Sequence, residues 1–228
     1  MTTFNNDSSP RPSDRHRVRQ EIQSLILSGD VKPGSKLLQV ELAKRFGVTQ
    51  NVVREALLEL QFSGLVEARD NKGIFVGNLT PHKFLEYLDV RAALEGLVAS
   101  LCCDHISRAE VRELKDIAAE IKIAARENRV DDDVALDKKF HQTLLKIAQN
   151  TVITQIIEAY WPLMKIFSAK IDPNIVFQEH MAILDAMEQG QRSQAESRMR
   201  EHILNSKRLI EQRIRDNQFE PQWLKEKL

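Results

Sequence analysis

LQVELAKRFGVTQNVVREALLELQFSGLVEARDNKGIFV, residues 38–76, is the stretch that decides the fold. Leu42, Ala43 and Phe46 form the apolar side of a short helix over Glu41 to Phe46, and Gly47 closes it. Thr49 then stands as the N-cap of a longer helix running through Arg54 to about Phe62. Only Gly47-Val48-Thr49 joins the two, the short glycine-containing joint of a helix-turn-helix. Val53, Ala56, Leu57 and Leu60 repeat at helical spacing and face inward. Gln50, Asn51 and Arg54 are left near the exposed N-terminal end, where a recognition helix meets base edges. Gln and Asn pair bidentately with adenine, and Arg takes guanine or a phosphate. Three polar residues alone fit a solvated helix face better, so the downstream pattern matters. Leu65 to Ala68 and Ile74 to Val76 are β-prone runs around the polar tip Arg69-Asp70-Asn71-Lys72-Gly73. A hairpin placed directly after a helix-turn-helix is a wing, and Arg69, Lys72 and the Gly73 amide suit phosphate or minor-groove contact.

Upstream, Val18, Ile22, Leu25 and Ile26 mark a helix over His16 to Ser28, stopped by Gly29 and followed by a turn at Lys32-Pro33-Gly34-Ser35. Residues 1–12 are polar, Pro-containing and expected to be a disordered lead-in, which sets the winged-helix domain at 13–80. This region resembles the DNA-binding domain of the GntR family of bacterial transcription regulators. The resemblance rests on the family's run of V-S/T-x-x-x-V-R-E-A-L, then G-L-V, then a glycine-tipped wing. Thr49 and Arg54 occupy matching positions. Members often carry arginine where this chain has Gln50, and a charged residue near Val40, so the family's usual operator is not implied.

The chain of 228 residues is long enough for one small and one medium domain. Its 33 basic and 33 acidic residues exclude an electrostatic grip on nucleic acid spread over the whole length. Divided by region, residues 11–80 hold 11 basic and 8 acidic side chains, while 81–228 hold 22 and 24. A mildly basic head therefore sits on a mildly acidic body. With 8 Gly and 7 Pro, many short strands are disfavoured. No apolar run has the length of a signal peptide or membrane span, so a cytoplasmic protein without membrane contact is expected. Cys102 and Cys103 are adjacent, which suits neither a disulfide framework nor zinc spacing.

After Thr80-Pro81 come six amphipathic segments at 82–104, 107–128, 131–149, 151–171, 174–189 and 191–217. Their short joints predict an antiparallel α-helical bundle over 81–217, followed by a tail at 218–228 in which Phe219 and Trp223 have no assigned partner. The whole chain is thus expected to be mainly α. Asp131-Asp132-Asp133 reads as an acidic helix start.

Ionisable residues interrupt the apolar stripes of this bundle. Asp137 and His141, about 40° apart around a helix axis, lie on the face of Val134, Leu144, Leu145 and Ala148. His180 is flanked by Phe177, Ile183, Leu184 and Met187, and His202 by Ala195, Met199, Ile203 and Ile210. A single such histidine would read as a hydrogen-bonded core residue. Four groups on three helices must satisfy one another or share a cation, because an unpaired buried polar group costs roughly 2–7 kcal/mol. Three imidazoles and a carboxylate suit zinc, nickel, manganese or a similar divalent ion.

The body resembles the FCD ligand-binding domain of the FadR subgroup, in its six-helix VanR-like variety. The matching pieces are VRAALE at 90–95, DKKFH at 137–141, EHMAILDAMEQGQ at 179–191 and REHI at 200–203. The resemblance implies that Asp137, His141, His180 and His202 bind a divalent metal and that a small organic acid binds beside it. Arg91, on a face with Phe84, Leu94, Val98 and Leu101, is the candidate partner for the acid's carboxylate. Its alternative is a salt bridge within the bundle, for instance to Asp137. Asn150 matches a position near the pocket, with a helix C-cap as its alternative. A homodimeric regulator of a double-stranded DNA operator follows, repression being the commoner mode. A metalloenzyme and a metal-stabilised dimerisation platform remain as alternatives, although no His-Asp, E-x-x-H or H-E-x-x-H motif is present.

Overall fold

The computed structural model describes residues 12–78, 80–166, 172–216 and 218. The expected lead-in, the end of the segment reaching 171 and the tail with Phe219 and Trp223 lie outside the described residues, apart from Pro12 and Gln218. The chain divides into two compact units that change over at Thr80.

In the first unit, α1 (Pro12–Leu27), α2 (Gln39–Phe46) and α3 (Gln50–Phe62) bury the faces that their periodicity marks. Val18, Ile22 and Ile26 meet Val53, Ala56, Leu57 and Leu60 in the core, with Leu42 and Phe46 from α2 closing it. Gly47 ends α2 in the left-handed conformation at φ 65°, and its N–H donates to the Ala43 carbonyl. Glu59 on α3 latches α1 through Arg15 at 2.9 Å and Arg19 at 3.5 Å.

The wing is larger than the expected hairpin. β2 (Val66–Arg69) and β3 (Gly73–Val76) pair antiparallel as anticipated, and β1 (Lys36–Leu37) adds a third strand on the far side of β3. In register, Phe75 lies between Lys36 and Glu67. Two residues carry no readable alternation, so β1 exists only because β3 offers its free edge. Gly77 seals the base of the wing: its N–H donates to Leu65 O at 2.8 Å, and a Cβ there would stand 2.2 Å from the Gly64 carbonyl oxygen.

The second unit is the expected helical bundle: α4 (Pro81–Cys102), α5 (Arg108–Arg126), α6 (Val130–Ala148), α7 (Thr151–Ile166), α8 (Pro173–Glu188) and α9 (Arg192–Arg215). Caps explain the boundaries. Thr80 accepts from Lys83 N with Pro81 in the first turn, Ser107 and Glu110 form a reciprocal capping box, and Asp172 accepts from Asn174 N. α4 packs most extensively against α9 and also touches α6, α7 and α8, while α5 lies on α6 and α8. α4 therefore lines the interior onto which α6, α8 and α9 project their histidines. Among the described residues, no helix is long and apolar enough to cross a membrane.

Candidate metal centre

Asp137, His141, His180 and His202 converge from α6, α8 and α9. Each offers one ligand atom, and these atoms lie within 4.8 Å of one another. The three imidazoles are buried, whereas the Asp137 side chain is one-third exposed. Asp137 Oδ1 stands 3.6 Å from His141 Nε2 and 3.9 Å from His180 Nε2. The His180 and His202 ring centroids are 4.7 Å apart, and His180 stacks on Phe140 at 4.0 Å.

Two further carboxylates hold the rings in orientation. Glu179 meets His202 Nδ1 through Oε2 at 2.8 Å and accepts from the Asn205 amide through Oε1. Glu95, buried on α4, contacts His141 Nδ1 and pairs with Arg91. In both histidines the carboxylate sits on Nδ1, which leaves Nε2 for the interior, as carboxylate–histidine pairs do around metal ions. Residue-by-residue reading missed Glu95 and Glu179. Their signals were an acid one helical turn after Arg91 within VRAALE and an acid directly before His180 in EHMAIL.

The electrostatics favour ligation. Burial acts to raise the Asp137 pKa, but His141, His180 and Arg91 outweigh it and hold the carboxyl well below the usual range. Burial, followed by the neighbouring His202, drives His180 well below 6.5, so its imidazole is neutral with a lone pair available. His141 goes the other way. Although burial acts to lower it, Glu95 and Asp137 push its pKa up to about 9. Against its own burial, Glu95 is held down at about 2, chiefly by Arg91 and then His141.

A divalent cation fits this cluster. Among the described residues neither ring nitrogen of His180, nor Nε2 of His141, has a hydrogen-bond partner despite being buried. Asp137, His141, His180 and His202 would hold the ion by drawing together from this spread, since donors bound at about 2.1 Å to a common ion stand closer than 4.8 Å. An N3O set from four side chains leaves positions for water or a small-molecule oxygen.

Arg91 is buried and stacks on Trp161, with its guanidinium carbon 4.9 Å from the ring centroid. Of the companions expected on its face, Phe84 and Val98 are buried with it, whereas Leu94 and Leu101 are only half-buried; Leu88, Ala92 and Glu95 complete the interior side. Glu95, one turn on, forms its ion pair in place of the suggested Asp137, which acts on Arg91 from farther off. Asn150 is not a C-cap. Gln149 ends α6 at φ 54°, and Asn150 begins α7 by accepting from Ile153 N at 3.1 Å.

In the first unit, Thr49 takes the N-cap position of α3 with an extended backbone but without a side-chain capping bond. Gln50, Asn51 and Arg54 are exposed along the first turns of α3, and Lys72 and Gly73 are exposed at the wing tip. Arg69 is exposed but engaged: it pairs with Glu67 at 2.7 Å and lies 4.3 Å over the Phe75 ring. Lys36 on β1 approaches the same ring at 5.9 Å, a cation at the wing that strand patterning did not reveal.

A winged helix-turn-helix, followed by a helical bundle around a His/Asp cluster, defines a two-domain DNA-binding regulator. Residues 15–76 match the family model of bacterial regulatory proteins of the gntR family, and residues 86–205 match the FCD domain. The chain is 24% identical to the HTH-type transcriptional repressor RspR of Escherichia coli, over 93% of this chain and 94% of that protein. It is 29% identical to the HTH-type transcriptional regulator LutR of Bacillus subtilis, over 79% and 94% respectively. Among solved structures, Escherichia coli McbR/YncC superposes with a TM-score of 0.68 at 17% identity, covering 90% of this chain and all of that one. The chain belongs to the GntR family and carries an FCD domain. Because the family and these relatives are transcription regulators, the metalloenzyme alternative is set aside.

Proposed function

We propose that the protein is an operator-binding homodimer whose bundle senses a small organic acid through a divalent cation held by Asp137, His141, His180 and His202. The observation that carries this reading is the convergence of four ligand atoms whose histidines are buried yet incompletely hydrogen-bonded. When bound, the cation supplies open positions for a carboxylate. Arg91, always charged and rigidly stacked on Trp161, is placed to add a second pole for the anion. Thr49, Gln50, Asn51 and Arg54 read the major groove, while Arg69, Lys72 and the Gly73 amide hold the backbone. Two copies reading a two-fold operator make up for the small contact area of one winged helix. An acid regulates DNA binding only through differential affinity for the two arrangements of the dimer.

The test is fluorescence anisotropy of the full chain on genomic operator fragments, after chelation and after reloading with zinc, nickel or manganese, with organic acids added in each state. An acid-dependent change in DNA affinity is expected only in the metal-loaded protein. Persistence of the response after complete metal removal counts against the reading. Unfolding of the bundle on chelation would instead make the ion a structural support for dimerisation.

A further inference from the structure

Neither the four candidate ligands nor Arg91 accounts for Tyr87. This residue sits on α4 one turn before Arg91, and Arg91 one turn before Glu95, so the three form a single stripe that ends at the His141 contact. Tyr87 is 7% exposed, and its hydroxyl is buried with no hydrogen-bond partner among the described residues. Its ring is fixed, lying 4.7 Å from the Tyr160 ring and 6.4 Å from that of Phe84. Burial holds the phenol far above its ordinary pKa, so the group is a neutral donor and acceptor. Phenylalanine would fill the same space without an orphaned hydroxyl, whereas a retained one has value if something from outside completes it.

We propose that Tyr87 is the specificity-determining contact of the acid site, its hydroxyl bonding a second oxygen function on the effector. The ligand is then a carboxylic acid bearing a hydroxyl or a second carboxylate, with that oxygen placed toward Tyr87 and the first carboxylate toward Arg91 and the cation. The stripe sets the scale: the four-residue step from Tyr87 to Arg91 rises about 6 Å along α4, within the span of a short-chain acid. A plain short acid leaves the Tyr87 hydroxyl buried and unsatisfied, and the protein discriminates against it for that reason. This inference rests on the acid-sensing reading above and adds the class of acid.

The experiment titrates the zinc-loaded full chain calorimetrically with three sets of short acids of matched chain length: unsubstituted, hydroxylated and dicarboxylic. Wild-type protein is expected to prefer one of the oxygenated sets. Tyr87→Phe should weaken that set by about tenfold to a hundredfold while leaving the unsubstituted acids unchanged. In acid-free protein, Tyr87→Phe should melt no lower than wild type, since it removes an unpaired group. A lower melting temperature with unchanged acid affinity would assign Tyr87 to the core alone and overturn the inference. So would unsubstituted acids that bind as tightly as oxygenated ones; the acid-sensing reading would survive either result. If no acid binds the zinc-loaded chain, both fall together.

Discussion

At the residue scale, the centre is governed by which nitrogen of each histidine is engaged. Glu179 holds His202 by Nδ1 at 2.8 Å and so directs Nε2 inward. Glu179→Gln keeps the shape but replaces a charged acceptor with a neutral one. Zinc affinity, measured by competition with a chromophoric chelator, should fall by about tenfold to a hundredfold with the helical signal unchanged. His141 gives a pH dependence of definite sign. Its folded pKa of about 9 lies above the ordinary 6.5, so its contribution to metal-free stability is full below 6.5 and lost as pH rises through 9. A cation must expel the same proton, so metal affinity rises across that window. Calorimetric melts should show the metal-free protein losing stability with pH while the increment from added zinc grows. Parallel trends in the two would exclude His141 as the titrating ligand.

At the element scale, Gly77 shows how much the wing depends on a close backbone crossing. A methyl group there meets the Gly64 carbonyl oxygen at 2.2 Å, with no flexible side chain to give way. Gly77→Ala should cost roughly 1–3 kcal/mol, the range for forcing volume into a packed contact. DNA binding should be lost while zinc uptake by the bundle persists, as filter binding and metal analysis on one preparation would show. The helices were legible beforehand because their signals are local: an apolar stripe of Val53, Ala56, Leu57 and Leu60, or a cap such as Ser107. The convergence of Asp137, His141, His180 and His202 was legible because polar residues stood out within those stripes. β1 was not, because its two residues gain strand character only from β3. Glu95 and Glu179 were also missed, since an acid on a helix declares nothing until the helix opposite is in place. Arg91 stood out as a cation within an apolar stripe, of which Phe84 and Val98 are buried but Leu94 and Leu101 only half-buried, because α4 carries apolar residues on several sides, with Val90 and Leu97 exposed while Leu88 is buried.

At the scale of the whole molecule, the neutral sum of charges conceals a head with an excess of three positive charges over residues 11–80. So modest an excess limits counterion release, and specificity falls to neutral side chains. Gln50→Ala should cost about 1–3 kcal/mol at one base-pair position without altering the salt dependence. Lys72→Ala should weaken all sequences alike and reduce the salt slope by about one. Anisotropy over a series of salt concentrations separates the two, and a salt slope altered by Gln50→Ala would contradict the assignment. The packing of Trp161 has a practical consequence of its own. One of only two tryptophans in the chain, its indole lies 5.8 Å from the His141 ring. Ions with partly filled d shells extinguish indole emission at such range, whereas zinc does not. Nickel should therefore darken the protein and zinc should restore its light, a built-in optical gauge of which ion is bound, with no label attached.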